Sequence, residues 1–145
     1  MPVISNVRHQ MNARALLKAR SFGSFRYSTL FDSTNNLKQV LAGFGLTAEP
    51  LLLFEIDKTT AIAIVTALLW KDMVHGIESM PNEEARRLAS EIIDENSSEA
   101  ANYYSNRADS KTNNWNPLTS ATFDSGIIVQ NQDGLNFCLW FEEED

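Results

Sequence analysis

The chain has 145 residues, of which 43% are hydrophobic and 21% are charged. A chain of this length and apolar content buries a core of its own, which excludes a wholly disordered protein. The single cysteine excludes an intramolecular disulfide bond, and no apolar run reaches the roughly 18 residues of a membrane-spanning helix. We therefore expect one soluble domain over residues 1–145 and no membrane contact.

The net charge of −7 is distributed unevenly along the chain. Residues 1–38 carry six basic groups and one acid, whereas residues 39–145 carry six basic groups and 18 acids. Because like charges repel, the acidic body disfavours nucleic acid and anionic membranes as partners. The sequence shows no secretory pattern, so a cytoplasmic location is the default expectation.

The first 24 residues form a basic N-terminal segment, in which alanines and apolar spacing predict a helix over residues 6–20. Three interpretations stay open for this segment: an ordinary helix whose basic face pairs with the acidic body, an arm that contacts phosphate, and an organelle-targeting segment. All three follow from the same excess of positive charge.

Three further elements are predicted before the middle of the chain. Alternating aromatic and polar residues predict a strand over residues 25–31. Ser33 or Thr34 is predicted to cap a short helix over residues 35–42, because a side-chain oxygen can accept from free amides there. The compact apolar run over residues 51–56 predicts a buried strand.

Residues 58–75 are apolar on every side, so their periodicity fits either a buried helix or a pair of strands. Asp57 is a good N-cap residue, and Gly76 is a good residue to follow a helix. Because eighteen residues are too many for a typical strand, we predict a central buried helix. The alternative is a hairpin that turns near Lys58 and Thr59.

An amphipathic helix is predicted over residues 81–96, because its apolar residues recur at spacings of three and four. Its apolar stripe consists of Ala85, Leu88, Ala89, Ile92 and Ile93. Ser97 and Ser98 either end this helix or cap a continuation of it through Tyr104. A polar loop is predicted over residues 105–120.

A C-terminal hairpin is predicted over about residues 121–142, because Asp133-Gly134 between two apolar runs favours a two-residue turn. In that register Gln130 faces Phe137. Both faces of the hairpin carry large apolar side chains, so it either lies centrally in a sheet covered on both sides or binds a partner with one face. The predicted fold class is α+β: an antiparallel sheet that includes this hairpin, packed against three to four helices.

Two carboxylate-containing pairs are candidates for acid–base chemistry. Asp72 and His75 are three residues apart and share a face of the predicted helix. Glu55 and Asp57 are two apart and share a face of the predicted strand. A structural role is the simpler expectation for both pairs. His75 is then a helix-end residue beside a carboxylate, while Asp57 caps the helix and Glu55 pairs with a base such as Lys58.

Other catalytic equipment is missing from the sequence. It lacks a phosphate-binding glycine loop after a strand and the spacings of a Cys–His zinc site. Cys138 lies in a predicted strand between apolar neighbours, where a thiol is inert. We therefore expect no enzymatic activity, no cofactor and no metal site. The competing hypothesis is an enzyme that uses the two pairs above.

Acidic and aromatic residues supply a candidate binding surface instead. Acidic fields speed association with basic proteins, and aromatic side chains are enriched at binding hot spots. The predicted partner-binding residues are the C-terminal Glu142, Glu143, Glu144 and Asp145, the helix acids Glu91, Asp94 and Glu95, and the aromatic anchors Tyr103, Tyr104 and Trp115.

Small acidic α+β proteins of this physical type include immunity proteins and antitoxins, which cover a nuclease's phosphate-binding cleft by mimicking its charge. We therefore predict an inhibitor or immunity-like protein that neutralises a basic partner such as a nuclease toxin. The alternative is a structural subunit of a phage or multi-protein particle, in which the basic arm and acidic body of neighbouring copies pair in a homo-oligomer. Self-association that weakens with salt would favour that alternative.

Overall fold

A computed structural model describes residues 23–144. The predicted helix over residues 6–20, the basic segment up to residue 22 and Asp145 therefore lie outside the described residues. The described range forms five strands and three α-helices. In chain order they are β1 (Ser24–Phe31), α1 (Leu37–Gly43), β2 (Phe54–Ile56), α2 (Lys58–Trp70), α3 (Asn82–Glu95), β3 (Asn102–Ser105), β4 (Phe123–Gln130) and β5 (Leu135–Glu143). The predicted α+β class with an antiparallel sheet and a C-terminal hairpin is confirmed.

The five strands form one antiparallel sheet in the order β1-β5-β4-β3-β2, so the β4–β5 hairpin is central. One face of the hairpin contributes to an apolar cluster with α2 and α3 through Ile127, Val129, Phe137, Leu139 and Phe141. The other face contributes to a second cluster, with α1, through Ile128, Cys138 and Trp140. The sheet is therefore covered on both sides, as one of the two interpretations of the apolar hairpin requires.

The hairpin turn is one residue longer than the sequence predicts. Gly134 donates its amide to the Asn131 carbonyl at 3.1 Å and has a φ of +90°, a left-handed conformation that favours glycine. This is a three-residue loop in which a tight turn is followed by a glycine. Gln130 consequently faces Asn136 rather than Phe137. The predicted register is wrong by one residue, because the side-chain pairing moves with each residue added to the turn.

Helix α1 begins two residues later than predicted and has a different cap. Asn36 caps it by accepting a hydrogen bond from the Gln39 amide at 3.2 Å. Thr34, one of the two predicted caps, instead donates both its amide and its hydroxyl to Asp32. Asn35 has a φ of 51°, and this left-handed residue separates the turn at Asp32 from the helix.

The predicted buried strand over residues 51–56 is wrong. Pro50–Leu52 form a turn of 3₁₀ helix, which Glu49 caps by accepting from the Leu51 amide. Proline favours the first position of such a turn because its φ is already helical. The strand that remains, β2, has three residues and lies at the edge of the sheet, where Leu51 and Phe54 are 90% and 42% exposed.

Helix α2 shows that residues 58–70 form a helix and not the alternative hairpin. Asp57 caps it as predicted, accepting from the Thr60 amide at 2.7 Å. The helix ends at Trp70, before the predicted residue 75, and the chain turns back so that the Ser79 amide donates to the Trp70 carbonyl. One side of α2 packs on the sheet and on α3 through Ala61, Ile64, Val65, Leu68 and Leu69.

Helix α3 is confirmed with the buried stripe that its period predicts, Ala85, Leu88, Ala89, Ile92 and Ile93. The helix ends at Glu95, and the continuation through Tyr104 does not form, because Tyr104 lies in β3. The polar loop that follows β3 is held by Asp124 of β4. Its carboxylate accepts from the amides of Leu118 and Thr119 and from the side chain of Asn106, which orders this loop against the sheet.

Candidate functional site

The structure places the two predicted acidic groups at opposite ends of the sheet. The end of α3 contacts the hairpin turn, where the Asn131 side chain donates to the Asn96 carbonyl at 3.0 Å. The C-terminal acids lie beside the first residues of β4, where Phe123 pairs with Glu143. Because β4 has eight residues, about 24 Å separates its two ends. The predicted acids therefore do not form one surface.

The C-terminal carboxylates have structural partners. Glu142 forms an ion pair with Arg26 at 3.1 Å. Glu143 is only 1% exposed and accepts from backbone amides of the loop after α2, so its predicted role in contacting a partner is wrong. Glu144 is exposed and accepts from the amide and hydroxyl of Thr122. Asp145 lies outside the described residues.

The three predicted aromatic anchors are not brought together. Tyr103 is buried in the cluster beneath α2 and α3, so its predicted role as a surface anchor is wrong. Tyr104 is half-buried and pairs with Glu55 across β2 and β3. Trp115 packs against Phe123, with 5.5 Å between ring centroids, at the far end of β4. Tyr103 and Tyr104 both pair with β2, but of these two only Tyr104 is outside the buried core.

The acids of α3 have basic neighbours on the surface. Glu91 pairs with Arg87 one turn earlier at 2.8 Å. Asp94 pairs with Lys58 at 2.7 Å, and this hydrogen bond raises the pKa of the lysine. Glu95 is half-buried. Because Lys58 directly follows β2, its ion pair brings the end of α3 to the same edge as Tyr104.

This edge is the candidate site, and we call residues 49–57 the acidic edge. It combines the two exposed apolar side chains of Leu51 and Phe54 with three exposed carboxylates, those of Glu49, Glu55 and Asp57. The apolar run over residues 51–56 predicts a buried strand, so the apolar pattern does not reveal this surface. The signal that reveals it is Glu49-Pro50, which favours a turn and so shortens the strand that follows.

Local contacts shift the pKa values of Asp57 and Tyr104 at the acidic edge. The Thr60 hydroxyl and amide lower the pKa of Asp57 by hydrogen bonding to its ionised form. Burial and then the charge of Glu55 raise the pKa of Tyr104. At neutral pH the edge therefore presents the ionised carboxylate of Asp57 and the neutral phenol of Tyr104. Such a surface attracts cationic side chains, whose N–H groups can donate hydrogen bonds to the carboxylate oxygens and to the phenol oxygen.

The candidate catalytic pairs have structural roles. Asp72 is not on α2 but in the loop after it, where its carboxylate accepts from the amides of His75, Gly76 and Ile77. Asp57 is a helix cap, as expected. Lys58, which the sequence offered as a base for Glu55, forms its ion pair with Asp94 instead.

Cys138 is fully buried, as its apolar neighbours in the sequence predict, and burial raises the pKa of its thiol.

Within residues 23–144, no group of three or more His, Cys, Asp or Glu side chains is placed to hold a metal ion. None of the helices in that range is both long and apolar enough to cross a membrane. Comparisons of the chain with protein-family models, with curated proteins and with solved structures give no match.

Proposed function

We propose that this protein is a non-enzymatic binding module that captures a basic protein partner, in the manner of an inhibitor or immunity protein. The observation that supports the proposal is the acidic edge, where exposed Leu51 and Phe54 stand among the carboxylates of Glu49, Glu55 and Asp57. Apolar anchors with a charged rim are the usual composition of a specific protein interface.

The charge of the described part favours a cationic partner. Residues 23–144 contain eight basic and 18 acidic side chains, a net charge of −10. This field attracts basic surfaces over a distance of about 8–10 Å at physiological salt. The partner's apolar side chains would then contact Leu51 and Phe54, and its cations would contact the surrounding carboxylates.

The geometry of β2 supports a particular mode of binding. Among the described residues β2 pairs with β3 on one side and with no strand on the other. An extended basic segment of the partner can therefore add to this edge through backbone hydrogen bonds. The side chain of Glu55 alternates with those of Phe54 and Ile56 along the strand, so the partner meets apolar and acidic groups in turn.

The test compares two charge reversals of equal size. The full chain, Glu55→Lys at the acidic edge and Glu144→Lys at the opposite end of the sheet serve as baits in cell lysate at about 50 and 300 mM salt. We expect one basic protein to bind stoichiometrically to the wild type and to Glu144→Lys, and to be lost from Glu55→Lys. Equal capture by both variants contradicts the acidic edge. Recovery of the bait alone in a salt-sensitive complex favours the structural-subunit alternative.

A further inference from the structure

Two adjoining cavities lie beside α2, away from the acidic edge, and we call them together the α2 groove. The larger has a volume of about 440 Å³ and lies between the outer face of α2, the start of α3 and the loop after β3. The smaller has about 290 Å³ and lies at the end of α2. Both are lined by Ala67, Trp70 and Ser110, so they adjoin one another.

The α2 groove has an apolar floor. Helix α2 is apolar on every side, and the side that does not pack on the sheet faces this groove through Ile62, Ala63 and Ala67. The floor extends from Thr59 to Trp70, which is about 16 Å along a helix. A helix that is apolar all round is normally buried all round, whereas Ile62, Ala63 and Ala67 are only half-buried here.

The walls of the α2 groove are cationic. Of the eight basic side chains in residues 23–144, four line it: Lys71, Arg86, Arg107 and Lys111. Among the described residues, Asp72 is the one acid of the lining, and its carboxylate is occupied by backbone amides of its own loop. In a part of the chain that carries a net charge of −10, this concentration of positive charge marks a site for an anion.

Arg107 is the strongest indication of a missing ligand. The residue is only 8% exposed and lines the smaller cavity, and its buried Nε has no hydrogen-bond partner. Burial lowers the pKa of the guanidinium, which the charge of Asp109 partly offsets. A buried cation that lacks a full set of hydrogen bonds is costly, and it binds an incoming carboxylate or phosphate through two parallel hydrogen bonds.

We propose that the α2 groove binds an amphipathic organic anion, with its carboxylate or phosphate head at Arg107 and its apolar body along α2. Lys71 lies beside the head, and its ammonium is 4.2 Å from the ring centroid of Trp70, so cation and aromatic ring border the same end of the groove. The combined volume is in the range of small-molecule sites. The proposal does not depend on the acidic edge, because the two surfaces share no lining residue.

The first experiment titrates the full chain with decanoate, decyl phosphate and decyltrimethylammonium below their micelle-forming concentrations, using calorimetry and tryptophan fluorescence. We expect saturable binding of one equivalent of an anion and none of the cation. The stronger of the two anions identifies the head group. Acetate and inorganic phosphate carry the same head groups without the long alkyl chain, so they test the role of the apolar body. We expect them to bind at least about tenfold more weakly than the long anions, because burial of about ten methylene groups is lost. Equal binding of the cation, or no binding of either long anion, overturns the proposal.

The second experiment tests whether Arg107 contacts the ligand or only stabilises the fold. Arg107→Met keeps the apolar volume and removes the cation. We expect affinity for the long anion to fall at least about tenfold while the urea midpoint stays equal or rises, because an incompletely paired buried charge is removed. Arg87→Met is the matched control, since Arg87 is exposed, pairs with Glu91 and does not line the groove.

A further variant keeps the proposal testable if Arg107→Met fails to fold. Ala63→Glu places a carboxylate on the half-buried groove floor and leaves every cation intact. We expect it to fold and to abolish binding of the long anion by repelling the apolar body and the head. Unchanged affinity in Ala63→Glu, or in a folded Arg107→Met, overturns the proposal.

Discussion

The carboxylate of Glu143, in the last strand of the sheet, accepts a hydrogen bond from the backbone amide of Met73 at 2.7 Å. The next amide, of Val74, donates to the same oxygen at 3.2 Å. An acid from the C-terminal strand thus holds the loop that connects the two long helices. The contact explains why one glutamate of an acidic run is buried while its neighbours face solvent.

Glu143→Ala is expected to destabilise the protein by about 3 kcal/mol, because it leaves two amides without their acceptor and removes a charge-assisted hydrogen bond. Glu143→Gln retains an acceptor oxygen and should cost about 1 kcal/mol. Urea denaturation followed by circular dichroism measures both. Glu144→Ala is the control on an exposed neighbour, and an equal loss in Glu144→Ala would show that the loop contact has no special role.

Two glycines with left-handed backbones should respond differently to alanine. Gly134→Ala places a Cβ 2.8 Å from the Asp32 carbonyl oxygen and 2.9 Å from the Phe31 ring, whereas a Cβ at Gly76 meets nothing within 4 Å. Both variants carry the cost of a left-handed alanine, about 1–2 kcal/mol. We expect a clearly larger loss of unfolding free energy for Gly134→Ala. Equal losses would contradict the close approach of the hairpin turn to the end of β1.

The stability of the protein should fall in alkali because of Cys138. Burial raises the pKa of this thiol, so the folded state keeps its proton, while the unfolded state releases it above about pH 8.5. The contribution of this thiol to the free energy of unfolding is therefore complete below about pH 8.5. Above that pH the free energy of unfolding falls by up to about 1.4 kcal/mol per pH unit.

Urea denaturation at pH 7, 9 and 10 for the wild type and Cys138→Ala isolates this contribution. The two proteins should differ by a constant amount up to about pH 8.5 and converge above it. Tyr104, whose pKa is also raised, contributes in the same direction only above about pH 10. Parallel curves throughout would show that the thiol is not shielded from water.

Asp124 should hold the polar loop after β3 in place. Its buried carboxylate accepts hydrogen bonds from Leu118, Thr119 and Asn106, so Asp124→Ala should cost about 3 kcal/mol and open this loop. Hydrogen exchange by mass spectrometry should show faster exchange over residues 106–122 while α3 stays protected. Asp133→Ala, in the exposed hairpin turn, serves as the control. Unchanged exchange in the loop would contradict the role of Asp124.

The sequence predicts those elements whose cause is local. Helix α3 follows from its period of apolar residues, and the cap at Asp57 follows from one side chain and the amides that it reaches. The existence of the β4–β5 hairpin follows from Asp133-Gly134, but its register does not. The same dipeptide fits a two-residue and a three-residue turn, and the choice depends on packing across the sheet.

Surfaces that several segments build together leave no local signal. Arg107 follows β3, Lys71 follows α2 and Arg86 belongs to α3, so only the tertiary structure brings these cations to one groove. The C-terminal acids show the converse case, in which a local signal is present but tertiary contacts change what it means. Four consecutive acidic residues read as one patch, yet strand alternation and a loop contact turn Glu143 inward.

The pairing of β1 with β5 has a consequence for synthesis of the protein. Arg26 and Glu142, which join these strands, are 116 residues apart in the chain. A ribosome that adds about 5–20 residues per second makes β1 roughly 5–20 seconds before the strand that pairs with it. Throughout that interval β1 lacks the neighbour with which it forms its backbone hydrogen bonds, so this edge of the sheet can form only when synthesis of the chain is nearly finished.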